Sequence, residues 1–134
     1  MCCYMNKEYT EKRLKKLKAE GKTFIYAYKQ LNLSGKASNG NYQYKPGWNE
    51  MEYPISFDDY DNDFPEGLHL RPKHANFIGT YGFPIIKVKV YIKDIIGFGN
   101  RYSFSTSINE LVVNRLFISR ADWEKAGLPK RRRT

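Results

Sequence analysis

The clearest pattern in the chain is an alternation of apolar and polar residues in "PIIKVKVYIKDIIGFG", residues 84–99. Successive side chains of a β-strand lie on opposite faces of its sheet, so the alternation predicts a strand with one buried face. The predicted buried face carries β-branched residues, namely Ile86, Val88, Val90 and Ile92. The opposite face is cationic with one aromatic ring, and it consists of Lys87, Lys89, Tyr91 and Lys93.

Further short strands are indicated where β-branched and aromatic residues stand between turn-forming stretches. They are predicted in "KTFIYAYKQL", "YQYKPGW", "GLHLR", "RYSFSTS" and "ELVVNRLFIS". The first of them, residues 22–31, alternates Phe24, Tyr26 and Tyr28, and we expect it to lie centrally in a sheet. The Gly- and Asn-rich residues 32–41 are expected to form a hairpin loop.

Three helices are predicted from helix formers and capping residues. Residues 6–20, "NKEYTEKRLKKLKAE", indicate a helix with a lysine-rich face that ends at Gly21. Pro72 suits the first turn of a short helix in "PKHANFIGTY", because proline lacks only an N–H that has no partner there. Ser119 and Asp122 form a capping box for a last short helix.

Length and composition agree with one domain. A chain of 134 residues, of which 41% are hydrophobic and 16% aromatic, can bury a sizeable core. We therefore expect a single α+β domain over residues 1–134, with a mostly antiparallel sheet of about five strands, a basic N-terminal helix and two short helices. Residues 1–5 and 128–134 are expected to be flexible ends.

The sequence predicts a cytoplasmic protein with no membrane segment. No run of residues approaches the roughly 18 apolar positions of a membrane span. The start, "MCCYMNKEYTEKRLKK", lacks the basic-then-apolar order of a signal peptide. The cysteines, Cys2 and Cys3, are neighbours and cannot join distant segments, which agrees with a reducing compartment.

The charge is strongly uneven along the chain. The formal net charge is +9, yet residues 50–66 hold seven acidic residues and no Lys or Arg. Basic residues gather in residues 7–22 and again in residues 130–133. Basic blocks favour polyanions because binding releases condensed counterions, so we expect RNA or a ribonucleoprotein as the partner.

Metal and catalytic motifs are incomplete. "DYDND", residues 59–63, starts like an EF-hand loop, but Phe64 and Leu70 stand where that loop needs Gly and Glu. His69 and His74 lack the further ligands of a zinc site. We predict no metal, no cofactor and no catalytic residue. An acid–base pair made from either histidine with Glu66 or Glu110 stays open as the minor alternative.

The stretch "STS", residues 105–107, resembles the strand motif of the arginine-serine-glutamate ADP-ribosyltransferases. The resemblance implies an enzyme that uses a nicotinamide dinucleotide, with Arg71 or Arg101 as the arginine and Glu110 as the acid. The chain departs from that pattern, because Glu110 follows the serines by only three positions, whereas the family's glutamate belongs to a separate, later strand.

A second resemblance covers roughly residues 24–118. The order of a tyrosine-rich strand, "YKPGW", "GLHLR", a lysine-bearing strand and "VNRLFIS" is similar to small proteins of unassigned function carried by phages and other mobile elements. Small basic proteins in that setting often inhibit host defences, including RNA-guided nucleases. The resemblance therefore implies an inhibitor of CRISPR-type immunity.

Together these patterns predict a non-enzymatic protein that binds RNA or a protein–RNA complex electrostatically and acts as a phage-type inhibitor of host RNA-guided immunity. The predicted nucleic-acid contacts are Lys12, Arg13, Lys15, Lys16, Arg71, Lys73, Lys87, Lys89, Tyr91, Lys93, Arg131 and Arg132. Two alternatives stay open. One is the ADP-ribosyltransferase-like enzyme, and the other is a protein-binding module whose acidic loop mimics nucleic acid.

Overall fold

A computed structural model of the chain describes residues 3–5, 7–37, 42–53, 67–73, 83–103 and 106–129. Side chains are described for all of these except residues 3–5, 100–103 and 106–108. Within these ranges the elements are β1 (Cys3–Met5), α1 (Lys7–Ala19), β2 (Phe24–Gln30), β3 (Gly47–Glu50), β4 (Leu68–Leu70), β5 (Ile85–Tyr91), a 3-10 turn (Ile92–Asp94), β6 (Ile95–Ser103), β7 (Thr106–Val113), β8 (Arg115–Ile118) and α2 (Arg120–Lys125).

The described strands form two four-stranded sheets. Sheet A has the order β1-β6-β7-β4 and sheet B has the order β2-β5-β8-β3. Every neighbouring pair is antiparallel. The predicted α+β class and antiparallel pairing are confirmed, but the expected sheet of about five strands is corrected to two sheets. The tyrosine-rich strand β2 is also outermost in sheet B, not central.

Two sheets arise because one long hairpin bends in the middle. The chain passes from β5 in sheet B into β6 in sheet A, and it returns from β7 in sheet A into β8 in sheet B. The bend lies at Ile92–Asp94 on one side and at Asn114 on the other, where the Asn114 N–H donates to the Asp94 carbonyl at 2.8 Å. The predicted strand at residues 84–99 is therefore two strands. Lys93 was predicted to share a strand face with Lys87, Lys89 and Tyr91, but it lies in the turn between the two strands.

The inner faces of both sheets enclose one core. Burial along β5 alternates as predicted, with Ile86, Val88 and Val90 buried. These side chains belong to the same buried cluster as Leu70 and Leu111 of sheet A. Full burial of such aliphatic side chains is worth roughly 1.5–3 kcal/mol each, so the cluster supplies much of the stability of the fold.

Helix α2 closes one end of this core. Ser119 caps it as predicted, and the Ser119 hydroxyl accepts a hydrogen bond from the Asp122 N–H. Trp123 is almost fully buried, and its indole N–H donates to the Pro129 carbonyl at 2.8 Å. Gly35 lies against this ring with φ +89°, and a Cβ there would stand 2.8 Å from the indole, so no larger residue fits. The loop that precedes β3 therefore packs closely against Trp123 of α2.

Helix α1 packs on sheet A through a narrow edge, as its thin apolar stripe predicts. Leu17 is buried, and Tyr9 and Leu14 are partly buried against the core. The Thr10 hydroxyl donates to the Phe98 carbonyl at 3.1 Å and accepts from the Phe98 N–H at 2.9 Å. The pairing of β1 with β6 ends at Gly99. The Thr10 hydroxyl therefore provides the hydrogen-bond partner for the N–H and the carbonyl of Phe98, the neighbouring residue of β6.

Several sequence-based predictions concern residues that the structure describes only in part or not at all. The predicted helix in residues 72–81 lies largely outside them, and so do Arg131 and Arg132. Flexibility of residues 1–5 and 128–134 stays a prediction; of these segments the structure describes Cys3–Met5, which pair with β6, and Leu128 and Pro129, of which Leu128 is buried. Among the described helices none is long and apolar enough to cross a membrane.

Replacing Thr10 with valine should destabilise the protein. Valine has nearly the same shape but leaves the buried N–H and carbonyl of Phe98 without partners, so we expect the free energy of unfolding to fall by about 1–3 kcal/mol. Urea denaturation would measure it. Thr10→Ser keeps the hydroxyl and is the matched control, with a loss of at most about 1 kcal/mol for one methyl group. A valine variant as stable as the parent chain would contradict this role for Thr10.

Candidate nucleic-acid interface

The solvent-facing side of sheet B carries a row of large side chains across all four strands. Tyr26 on β2 pairs with Lys89 on β5, Lys89 pairs with Phe117 on β8, and Phe117 pairs with Trp48 on β3. Directly paired residues of antiparallel strands point to the same side of a sheet. The row therefore reads ring, cation, ring, ring.

Neighbouring pairs extend the row in both directions. Phe24 pairs with Tyr91, Tyr28 pairs with Lys87, and Glu50 pairs with Arg115. We call the surface formed by the rings and cations the aromatic–basic face; its members are Phe24, Tyr26, Tyr28, Trp48, Lys87, Lys89, Tyr91, Arg115 and Phe117. None of these nine side chains is fully buried. The face therefore presents six aromatic rings and three cations.

The rings of the face contact one another. Trp48 reaches across β8, so that its ring centroid lies 5.8 Å from that of Tyr91 and 5.2 Å from that of Phe117. At the other side Phe24 lies 5.6 Å from Tyr26 and 6.1 Å from Tyr91, in edge-to-face geometry. These distances are in the range of favourable aromatic pairs, so the rings support one another in fixed orientations.

Each cation of the face lies over a ring. The Lys87 ammonium stands 4.0 Å from the Tyr26 centroid, and the Lys89 ammonium stands 4.1 Å from that of Phe24. The Arg115 guanidinium stacks on Trp48 at 3.7 Å. The attraction of a cation to a ring face holds each charge above the sheet. Even so, 48% of Tyr26 and 37% of Trp48 remain accessible to solvent.

The outer edge of β3 is partly closed. Arg115 Nε lies 3.5 Å from Glu50 Oε2, so this acid neutralises part of the charge at that edge. The Glu50 N–H donates to the Tyr42 hydroxyl at 3.1 Å. Burial raises the pKa of Tyr42, the hydrogen bond with the Glu50 backbone lowers it in smaller measure, and the Glu50 charge also raises it. At least one backbone N–H of this edge, that of Glu50, is therefore already occupied within the protein.

A basic groove adjoins the opposite edge of the face. It runs between the second half of α1, the start of β2 and the residues after β4. We define the basic groove by its cations, which are Arg13, Lys16, Lys22 and Lys73. Phe24 and Tyr26 line it too, so the groove and the aromatic–basic face share two rings. Glu20 is the acidic residue of the lining.

The structure places the sequence-predicted contacts in several locations. Lys87, Lys89 and Tyr91 lie on the aromatic–basic face, whereas Arg13, Lys16 and Lys73 line the basic groove. The backbone of Arg71 forms a bridge with Tyr28 through hydrogen bonds of 2.8 and 2.9 Å, which places Arg71 along the outer edge of β2. Two further predicted contacts, Lys12 and Lys15, are exposed on α1 and do not line the groove.

Sequence reasoning missed Trp48, Arg115 and Phe117, which come from the two strands on the far side of the face. The alternation of Phe24, Tyr26 and Tyr28 predicted a strand, but these rings were not assigned to an exposed face. The sequence does carry an indication of the exposed face, which is the small residue Ala27 between two tyrosines. Ala27 is fully buried in the structure, so the aromatic side of β2 faces outward.

The structure also brings together His69 and Glu110, which the sequence offered only as a minor acid–base pair. His69 Nδ1 lies 2.6 Å from Glu110 Oε1, and the two side chains are 14% and 2% exposed. Both residues also make contacts beyond this one. Their strands pair within sheet A, so the two side chains lie away from the aromatic–basic face.

The ADP-ribosyltransferase-like interpretation stays a prediction. Glu110 is buried against His69, while the side chains of Arg101 and Ser107 and all of Ser105 lie outside what the structure describes. In the described part of the chain, no three His, Cys, Asp or Glu residues come together as a metal site. No known protein family, curated protein or solved structure matches this chain.

Tryptophan fluorescence should report on the face. The chain has two tryptophans, of which Trp48 is 37% and Trp123 is 1% exposed. Trp48→Phe should therefore shift the emission to shorter wavelength and make it resistant to acrylamide. Thermal denaturation of the variant provides the folding control. Unchanged quenching by acrylamide would contradict the exposed position of Trp48.

Proposed function

We propose that the aromatic–basic face binds single-stranded nucleic acid, and that RNA is its ligand. The observation that supports this function best is the alternation of six partly exposed rings with three cations on one sheet face. Proteins that bind unpaired strands combine ring surfaces, on which bases stack, with cations that attract the phosphates. The face has both components at neighbouring positions.

The composition of the face is more typical of a ligand-binding surface than of an ordinary solvent-exposed side of a sheet. A solvent-facing strand is usually kept soluble by polar and charged side chains, and contiguous exposed aromatic surface marks an interaction site. Stacking of one base on an aromatic side chain is worth about 1–3 kcal/mol. Lys87, Lys89 and Arg115 stand among the rings, where they can exchange a ring contact for a phosphate contact.

RNA is the expected ligand because its unpaired loops and ends offer splayed bases. The net charge of +9 supports attraction to any polyanion, so it does not by itself distinguish RNA from DNA. The proposed ligand includes both free RNA and RNA within a ribonucleoprotein. We propose inhibition of RNA-guided immunity by a phage-type protein as the biological setting. Such an inhibitor would use the face to hold an exposed RNA segment of its target.

The alternative, in which the acidic segment mimics nucleic acid, predicts that binding depends on acidic residues and not on the cations of the aromatic–basic face. Its residues lie mostly in 54–66, outside the described residues, and Glu50 pairs with Arg115. A protein partner recognised through the acidic segment would be lost on neutralising Asp58, Asp59, Asp61 and Asp63. RNA binding through the aromatic–basic face would be unaffected or strengthened by the same change, because repulsion of the phosphates would fall.

Tyr26→Leu should weaken binding to a fluorescein-labelled oligouridylate by about 5- to 100-fold, because leucine keeps an apolar side chain but removes one stacking ring. Fluorescence anisotropy at fixed salt measures the change, with oligothymidylate and duplex DNA as comparators. Duplex should bind least.

The matched control is Tyr53→Leu, since Tyr53 is 75% exposed and lies beyond the end of β3. It should bind as the parent chain does. Equal losses in the two variants, or no loss in Tyr26→Leu, would contradict stacking on the face.

A further inference from the structure

The basic groove is placed to receive a strand that leaves the aromatic–basic face. Phe24 and Tyr26 belong to both surfaces, so no gap separates the last stacked base from the first groove cation. Pairing in sheet B puts these two rings on the outermost strand, at the edge nearest α1. A single strand that crosses the sheet from Trp48 towards Tyr26 therefore reaches the groove next.

The chemistry of the groove differs from that of the face. Among the residues that the structure describes, four cations and one acid line it, and its aromatic residues are the two that it shares with the face. Its remaining described lining includes the aliphatic surface of Leu17, Ile25 and Pro72. This described lining offers charge for phosphates and apolar contact for sugars.

Local structure holds the groove cations in place. The Arg13 guanidinium lies 5.2 Å from the centroid of the Phe98 ring, so packing of α1 on sheet A fixes its position. Gly21, with φ +74°, ends α1 and turns the chain back, and the Lys22 N–H then donates to the Leu17 carbonyl at 3.1 Å. This turn brings Lys22 beside the last turn of the helix, close to Lys16.

We propose that the basic groove binds the sugar–phosphate backbone of the nucleotides that follow those stacked on the face. The inference rests on the proposed function, because it makes the groove an extension of the same single-stranded ligand. The bases of these nucleotides point away from the groove, so the groove adds affinity and salt dependence without sequence preference. It also fixes the path of the strand, from Trp48 across Tyr91 and Phe24 to α1.

The test compares two oligouridylates, one of about four nucleotides that covers only the face and one of about ten that also reaches the groove. Lys16→Gln with Lys22→Gln removes two charges from the groove. Arg120→Gln with Lys125→Gln removes two charges from exposed residues of α2 that do not line the groove, and is the matched control. Binding is followed by the emission of Trp48 across a salt series.

We expect the parent chain and the control to bind the longer oligomer more tightly than the shorter one. The groove variant should bind the short oligomer as the parent does but lose most of the gain with length. Its salt slope for the long oligomer should fall by about 1.4, since each phosphate contact of a single strand contributes about 0.7.

Two results would overturn the inference: equal losses in the control variant, which would indicate diffuse attraction by charge, or a groove variant that binds both oligomers as the parent does. A different result would overturn the proposed function. If Tyr26→Leu bound the short oligomer normally while the groove variant lost both, the groove alone would carry binding and the face would not.

Discussion

A hydrogen-bonded hairpin can bend sharply and keep its pairing only if both of its strands bend at the same level. Here the bends at Ile92–Asp94 and at Asn114 meet, and the Asn114 N–H closes them by donating to the Asp94 carbonyl at 2.8 Å. One hairpin can then supply the two inner strands of each sheet. Its apolar residues face a shared core, and the other side of β5 and β8 in sheet B faces solvent.

The outer strands complete that solvent-facing side. β2 adds the ring of Tyr26 and β3 adds the ring of Trp48, at opposite ends of one row across the sheet. In the free protein the cations lie over rings, which shields part of the aromatic surface and keeps the charges above the sheet. A single-stranded ligand offers phosphates for these charges and bases for these rings. The face is thus assembled before the ligand arrives, and little ordering opposes binding.

The sequence predicted the local elements better than their arrangement. The alternation in β5, the end of α1 at Gly21 and the Ser119 cap depend on neighbouring residues, and all three are confirmed. The bend was missed because Ile92 and Ile95 are both buried, so apolar residues stand directly on either side of the two polar residues of the turn, Lys93 and Asp94. The aromatic–basic face was predicted only in part, because Trp48 and Phe117 join Tyr26 through pairing between strands that are distant in the sequence. The positions of Lys87 and Lys89 on one face could be predicted from the alternation within a single strand, β5.

We propose that single-stranded RNA lies on the aromatic–basic face. The most direct test is photo-crosslinking of the intact protein to an oligonucleotide that carries 5-iodouridine, followed by mass spectrometry of the crosslinked peptides. We expect crosslinks at Tyr26, Trp48 or Tyr91, with an excess of unlabelled single-stranded RNA suppressing them and duplex DNA competing poorly. Crosslinks confined to residues outside sheet B, or no crosslink under conditions in which the RNA is bound, would contradict it.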